Sequence, residues 1–326
     1  MRRLLVTALV AFAAAPSAAL AASERTIVVQ PRPTAIKVHA GIALFSQWDG
    51  TAYRLVISRA AGAPERLALA PQAVPFDADI GADAQGRVSV VFSRCAAGDC
   101  DLFLLRLGAS QATKLTRTDD PDAPELRPTL WRGQLAWLRR VRRGAETVDR
   151  VFTRSLTAPG SVRSMSLPGV PRDGQVAELE LYGKRLALST VARSDDAGIC
   201  GRREIRLVTL GRSAVRLVAT QLCGLSGQIY SGPSFSAGRL YYARSCNEPG
   251  ACRGSAFGVL RYRIADGTYA SSPQARPLVG WGYDADGRAY EVRDPTSQCE
   301  NPTQGVPPCS VVRVSGLRFS PVKRQA

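Results

Sequence analysis

Histidine is nearly absent from this chain, and its scarcity narrows the chemistry that the sequence supports. The one imidazole is His39, so a serine or cysteine nucleophile has only this histidine as a candidate base. The metallopeptidase motif HExxH is missing, and the segment GLSGQ (224–228) lacks the glycine spacing of a nucleophile elbow. The sequence therefore argues against zinc peptidases and nucleophilic hydrolases.

Apolar runs long enough to cross a bilayer are missing as well. Leu4–Ala15 is apolar for 12 residues, whereas a spanning helix needs about 20. Arg2 and Arg3 precede this run, and Ala19-Leu20-Ala21 follows it with the A-x-A pattern of a cleavage site. We predict a signal peptide over 1–21, export by the general rather than the twin-arginine route, and no membrane span. The expected location is secreted, extracellular or cell-envelope associated.

Lysine is rare although the chain is strongly basic. The formal net charge is +16, and the lysines are only Lys37, Lys114, Lys184 and Lys323. Arginine therefore supplies nearly all of the positive charge. Two explanations stay open: attraction to polyanions such as wall polymers or acidic glycans, and the codon usage of a GC-rich genome. We expect a protein or an anionic envelope polymer as partner, no specific nucleic acid and a monomeric chain, because no nucleic-acid module appears and aromatic residues make up 7%.

The eight cysteines are expected to form disulfides, because export places the chain in an oxidising compartment. A structural zinc site with so little histidine would need four clustered thiolates, whereas these cysteines occur as local pairs. The local pairs are Cys95–Cys100, Cys246–Cys252 and Cys299–Cys309, and Cys200–Cys223 is the pair left by elimination.

A repeated pattern of a glycine turn followed by an apolar strand determines the predicted fold. The pattern recurs at Gly41, Gly86, Gly133, Gly183, Gly238 and Gly287, with spacings of 45 to 55 residues. Each copy contains a second strand and often weaker outer strands, and four strands with a period near 50 residues are typical of a β-propeller blade. We predict an all-β, six-bladed propeller with four antiparallel strands per blade, in preference to a two-sheet sandwich. The predicted domain is 22–326, with blades at 34–70, 75–118, 124–168, 174–224, 227–273 and 276–324.

Residues 75–135 resemble the TolB-type, WD-like propeller repeat. Asp83-Ala84-Gln85-Gly86 occupies the turn, Asp101-Leu102-Phe103 the third strand, and Leu115-Thr116 the end of the unit. The Ser-Pro of the family's turn is missing, and the rest of the chain matches weakly. The resemblance implies a six-bladed propeller and, by analogy with TolB, an interaction protein of the periplasm.

Candidate site residues are mainly basic and lie in the segments between second and third strands. We expect a positively charged face that includes Arg139, Arg140, Arg142, Arg143, Arg202, Arg203, Arg244 and Arg253. Interspersed acidic residues leave open that these are ordinary solvated hairpins. Weak calcium candidates are Asp77, Asp79, Asp119, Asp120 and Asp122, although aspartate-rich linkers usually form turns; we predict no metal and no cofactor.

The sequence thus favours an exported, non-catalytic propeller that serves as a binding or interaction scaffold for an envelope protein or an anionic polymer. The alternative is a propeller enzyme, a lyase or glycosidase, that uses carboxylates at the central channel. A mainly structural, wall-associated protein is the third reading.

Overall fold

The computed structural model describes most of the chain between residues 23 and 322. The described ranges are 23–32, 34–59, 63–96, 99–115, 123–143, 146–157, 162–165, 167, 174–192, 202–212, 215–221, 228–246, 257–274, 278–283, 288–293 and 308–322. The predicted signal peptide (1–21) lies outside them. Among these ranges no helix is long and apolar enough to span a membrane.

The described residues fold into six antiparallel sheets, which confirms the predicted all-β class. The first strand in the chain is β1 (Ser23–Gln30). Sheet 1 contains β2 (Ile36–His39), β3 (Ile42–Trp48), β4 (Tyr53–Arg59) and β5 (Glu65–Arg66). Sheet 2 contains β6 (Ala78–Ala82), β7 (Val88–Ala96), β8 (Asp99–Arg106) and β9 (Thr113–Lys114). Sheet 3 contains β10 (Glu125–Trp131), β11 (Gln134–Arg143), β12 (Glu146–Ser155) and β13 (Arg163–Met165).

Sheets 4 and 5 follow the same order of four consecutive strands, whereas sheet 6 has three and takes β1 as its fourth. Sheet 4 contains β14 (Gln175–Tyr182), β15 (Arg185–Ala192), β16 (Arg202–Thr209) and β17 (Val215–Gln221). Sheet 5 contains β18 (Gln228–Ser236), β19 (Arg239–Cys246), β20 (Phe257–Arg263) and β21 (Tyr269–Gln274), with β25 (Ser320–Val322) as a fifth strand. Sheet 6 contains β22 (Leu278–Tyr283), β23 (Arg288–Arg293) and β24 (Cys309–Ser315), with β1 as its outer strand.

The first strands of the six sheets form a closed ring, so the molecule is a six-bladed β-propeller. Each of β2, β6, β10, β14, β18 and β22 contacts the next in this order, and β22 contacts β2. These six are the inner strands, and the sheets are blades 1 to 6. The last contact depends on two glycines: a β-carbon at Gly280 would lie 2.4 Å from the Thr34 carbonyl oxygen, and one at Gly282 would lie 2.4 Å from Val38 Cγ2. Only glycine permits so close an approach of β22 to β2.

Strand β1 joins the two ends of the described chain in one sheet. It pairs antiparallel with β24 from Ser23 opposite Ser315 to Gln30 opposite Cys309. Glu24 accepts two hydrogen bonds of 2.7 Å from the Arg293 guanidinium on β23. The sixth blade is therefore completed by residues that precede the first blade in the sequence.

The hydrophobic core is divided into layers between neighbouring blades. Val90 packs with Phe92 against Leu44 and Leu55 of blade 1, whereas Val91 packs against Trp137 of blade 3. Successive side chains of a strand point to opposite faces. A blade that packs against a neighbour on each face therefore needs apolar residues at consecutive positions. This explains why the strand segment SVVF is apolar without alternation.

The ends of the strands define two faces of the propeller. Tight turns join the inner strand of each blade to the second strand, and we call the face that carries them the turn face. The second and third strands are joined at the opposite ends, on what we call the hairpin face. In blade 2, for example, Ala82 pairs with Val88 beside the turn, whereas Cys95 pairs with Cys100 at the hairpin.

One predicted disulfide is present within the described residues. Cys95 and Cys100 are bonded across the hairpin of blade 2, with their Cα atoms 3.9 Å apart. Cys309 is also disulfide-bonded, and its predicted partner Cys299 lies outside the described residues. Also outside them are Cys200, Cys223, Cys252 and the side chain of Cys246. The other three pairings stay predictions.

Candidate functional site

The inner strands surround a central channel that opens on the hairpin face into a cavity of about 120 Å³. Residues from all six inner strands line this cavity. The register of β10, β14, β18 and β22 shifts here, and such bulges bend a strand away from regular pairing. The charged lining residues are Lys37, Asp77, Arg127 and Glu178. The cavity has room for only a few water-sized groups, because one water occupies about 30 Å³.

An ion pair crosses the channel below this cavity. Lys37 Nζ of blade 1 donates to Glu180 Oε2 at 2.7 Å and to the Leu179 carbonyl at 2.8 Å. Blades 1 and 4 are opposite each other in a ring of six, so the Lys37 side chain reaches across the full width of the channel. We call the Lys37–Glu180 pair the crossbar.

Burial and neighbouring carboxylates shift the titration of both crossbar residues. Burial raises the pKa of Glu180 to about 7, against the opposing effect of the Lys37 ammonium, and Asp79 and Glu178 raise it further. Burial alone would lower the pKa of Lys37, but the carboxylates of Glu180, Asp79 and Glu178 outweigh it and hold that pKa above its usual value. Lys37 is therefore charged at neutral pH, whereas Glu180 titrates near neutrality.

The other channel carboxylates hold neighbouring blades together. Asp79 accepts a hydrogen bond of 2.8 Å from the backbone N–H of Leu130. Asp77 accepts one of 2.7 Å from the N–H of Arg127. Glu178 accepts one of 2.6 Å from the N–H of Gly232. In each case the donor belongs to the inner strand of the next blade.

Hydroxyl groups extend the same pattern around the ring. Thr129 accepts from the N–H of Leu181 at 3.0 Å, and Ser234 accepts from the N–H of Tyr283 at 3.2 Å. The acceptors of blades 2 to 5 thus each bind the backbone of the following inner strand. Buried N–H groups need such partners, so these side chains have structural roles.

The calcium candidates are not gathered into a metal site within the described part of the chain. Asp77 and Asp79 both accept backbone hydrogen bonds. Asp119, Asp120 and Asp122 lie outside the described residues. No group of three or more potential metal ligands occurs among the residues that are described.

At the turn-face end, aromatic rings from separate blades meet. The ring centres of His39 and Trp131 lie 6.1 Å apart in a T-shaped arrangement, and those of Trp131 and Tyr182 lie 4.2 Å apart. Because His39 and Trp131 belong to blades 1 and 3, which are not neighbours, their contact bridges the mouth of the channel. We call His39, Trp131 and Tyr182 the aromatic platform; all three are half-buried.

The arginines that we expected on one basic face differ in burial and in their partners. Arg139 and Arg244 are each 8% exposed and lie inside the molecule; Arg139 donates to Glu125 at 2.9 Å. Arg140 is paired with Asp149 at 3.1 Å. Arg142 is exposed and Arg203 half-buried on the hairpin face. The side chains of Arg143 and Arg202, and all of Arg253, lie outside the described residues.

The turns between inner and second strands carry a set of cations that the sequence analysis did not single out. Arg132 and Lys184 are exposed, and Arg185 and Arg239 are half-buried. Three of them directly flank a repeat glycine, as in Arg132-Gly133 and Gly238-Arg239, and Arg185 lies two residues after Gly183. The repeat alignment contained this signal, because five of its six copies have a basic residue directly beside the anchoring glycine.

The crossbar was also missed, although its strands show a readable alternation. In β2 the polar residues Lys37 and His39 alternate with Ile36 and Val38. In β14 the residues Glu178, Glu180 and Tyr182 alternate with leucines. Such alternation predicts one polar face, but it does not reveal which blades are opposite each other.

The fold is a six-bladed β-propeller, and the crossbar places an ion pair across its central channel. No protein-family model and no curated protein matches this chain. Among solved structures, it is similar to the PQQ-bound aldose sugar dehydrogenase of Streptomyces coelicolor (16% identity, TM-score 0.51, 90% of this chain and 99% of that chain). It is also similar to the virginiamycin B lyase of Staphylococcus aureus (11%, 0.51, 91% and 99%).

A third similar structure is a prolyl endopeptidase, with 13% identity and a TM-score of 0.51 over 90% of this chain. The present chain spans only 43% of that chain. At identities this low, the three similarities support the propeller fold and nothing finer.

Proposed function

We propose that this protein is an exported, non-catalytic β-propeller, related to the TolB-type repeat proteins, that binds an envelope protein or an anionic polymer. Two features support export. Residues 1–21 have the pattern of a signal peptide, and the Cys95–Cys100 disulfide is typical of an oxidising compartment.

The proposal is supported mainly by the hydrogen bonds that the channel carboxylates form with the framework. Asp77, Asp79 and Glu178 accept backbone hydrogen bonds from the neighbouring blade, and Glu180 is bonded to Lys37. A general acid or base must reach the proton that it transfers, and these groups are instead held by the framework. Binding at the surface of a rigid ring needs no free carboxylate.

One observation favours the alternative of a lyase or glycosidase. Burial raises the pKa of Glu180 to about 7, and a pKa near the operating pH suits an acid–base catalyst. Glu180 lies beside the cationic Lys37 in the channel. An enzyme of this kind would have to displace Lys37 before Glu180 could contact a substrate.

The two functions are separated by measuring binding and turnover together. The oxidised protein from residue 22 onward is incubated with size-defined uronate polymers and, separately, with immobilised envelope extract. We expect retention of polymer or of a discrete protein partner, with the polymer's length distribution unchanged after prolonged incubation. Shortening of the polymer that disappears in the Glu180→Gln variant would establish the enzyme instead.

A matched variant controls for loss of structure in that test. Glu65→Gln removes one exposed carboxylate of the outer strand β5 and should behave as the wild type in both assays. If neither the polymer nor any partner is retained, and no polymer is shortened, the binding function itself is wrong.

A further inference from the structure

Part of the positive charge on the hairpin face is balanced there by carboxylates. Arg54 pairs with Asp49 at 2.6 Å, and Lys114 pairs with Asp101 at 2.8 Å. Arg140 is similarly paired, as described above. Of the predicted basic set, Arg142 and Arg203 remain on this face without an ion pair among the described residues.

The turn face, by contrast, carries cations that no carboxylate neutralises among the described residues. Arg132, Lys184, Arg185 and Arg239 form no ion pair with any residue that the structure describes. These four are called the turn cations. They come from three consecutive blades, so they follow the rim of the channel mouth. The corresponding turn of blade 2 carries a carboxylate, Asp83. Its side chain is 2% exposed and is already paired with two arginines, so it does not neutralise the turn cations.

A like-charge pair adds to this excess. Arg239 lies directly opposite Arg263 in the pairing of β19 with β20, and like charges in such positions are destabilising. Asp266 neutralises Arg263 at 2.9 Å, which leaves Arg239 uncompensated. Arg239 is therefore available to pair with an external anion.

The aromatic platform lies among the turn cations. Arg132 places its guanidinium 5.4 Å from the centre of the Trp131 ring, and Arg185 is directly opposite Tyr182 in the strand register. The rings are only half-buried. The mouth of the channel thus offers apolar ring faces and arginine forks side by side.

We propose that the turn face binds an acidic polysaccharide, with sugar rings packed on the aromatic platform and sugar carboxylates paired with the turn cations. This inference rests on the proposed binding function and adds to it the face and the chemical class of the ligand. Arginine suits carboxylates because its planar fork donates two parallel hydrogen bonds.

Two observations favour a polysaccharide over other polyanions. The aromatic platform places half-buried rings beside the turn cations, and a purely electrostatic site for polyphosphate would not need them. The Cys95–Cys100 disulfide favours a compartment outside the cytoplasm, where nucleic acids are not the prevailing polyanions.

The test measures the dissociation constant of fluorescently labelled polygalacturonate for the oxidised protein at low and at moderate salt. The double variant Arg132→Glu with Lys184→Glu should weaken binding by on the order of tenfold or more at low salt. Trp131→Leu should weaken it by about threefold to tenfold while leaving the dependence on salt unchanged, because it removes a ring contact and no charge.

The hairpin face provides a control with the same change in charge. Arg142→Glu with Arg203→Glu alters two residues of the predicted basic face that form no ion pair among the described residues. This variant should bind within about twofold of the wild type. Thermal unfolding of every variant verifies that the fold is retained.

Each other outcome overturns a defined part of the inference. Loss of binding in the hairpin-face variant but not in the turn-face variant would place the site on the other face and leave the binding function intact. Tighter binding of single-stranded oligothymidylate or polyglutamate, or no effect of Trp131→Leu, would refute the polysaccharide. If no polymer binds while an envelope protein is retained, the inference fails and the scaffold function stands.

Discussion

At the scale of single residues, the backbone is constrained in the turns that contain the repeat glycines Gly133 and Gly238. Gly133 and Gly238 have φ angles of 72° and 73°, and the residues before them, Arg132 and Ala237, are also in the left-handed region. Two consecutive positive φ angles define the type I′ turn that matches the twist of paired strands. Gly133 and Gly238 are therefore required by backbone geometry.

Substitution of these two glycines by alanine should have unequal effects. Both variants pay about 1–2 kcal/mol for an L-residue in the left-handed region. A β-carbon at Gly133 would also lie 2.8 Å from Ala84 Cα of blade 2, whereas one at Gly238 meets nothing within 4 Å. We expect Gly133→Ala to lower the free energy of unfolding more than Gly238→Ala, as measured by urea denaturation. Equal losses would mean that the turns of blades 2 and 3 do not touch.

The crossbar predicts a dependence of stability on pH. The pKa of Glu180 is raised to about 7 in the folded protein, above its value in the unfolded chain, so its protonated form stabilises the fold at acidic pH and this contribution is lost as pH rises through 7. The free energy of unfolding should therefore decrease between about pH 5 and pH 8. In Glu180→Gln the decrease should be smaller; an identical pH profile would contradict the assignment.

At the scale of elements, sequence patterns predicted strands well where a blade is buried on both faces. The segments of β7 and β8 were recognised because their apolar runs are short and bounded by turns. The ion pair across the channel could not be predicted from the sequence. The alternation in β2 identifies Lys37 as polar, but it does not identify Glu180 as its partner. Arg139 and Arg244 look like surface residues in sequence, yet each is 8% exposed, because carboxylates and aromatic rings inside the blades accommodate a guanidinium.

The hairpin disulfide should contribute modestly to stability. The loop between Cys95 and Cys100 closes over a separation of 5 residues, and the entropy removed from the unfolded chain grows with loop length. Replacement of both cysteines by alanine should therefore lower the free energy of unfolding by at most about 2 kcal/mol. Denaturation of the double variant beside the oxidised wild type measures this difference, and a much larger loss would show that the bridge holds more than its own hairpin.

At the scale of the whole molecule, closure of the ring depends on β1. The repeat pattern predicted six units, but the role of residues 23–30 was not foreseen because this strand is mostly exposed and has only a few apolar residues. Its function follows from its position beside β24, which only the closed ring defines. In its absence β24 would present an unpaired edge, and such edges promote association with other chains.

Removal of β1 should destabilise the propeller and make it self-associate. A chain that begins at residue 31 is compared with one that begins at residue 23, which retains β1 and lacks only the segment before it. We expect a lower midpoint of thermal unfolding and a larger apparent mass in size-exclusion chromatography for the shorter chain alone. Identical behaviour of the two chains would show that β1 does not close the ring.

The same pairing sets the order of events when the protein is made. Ser23 finds its partner Ser315 only after almost the whole polypeptide has been delivered, and contacts so distant in sequence slow the final stage of folding. Blade 6 therefore cannot be completed until its other three strands, β22 to β24 near the far end of the sequence, have been made.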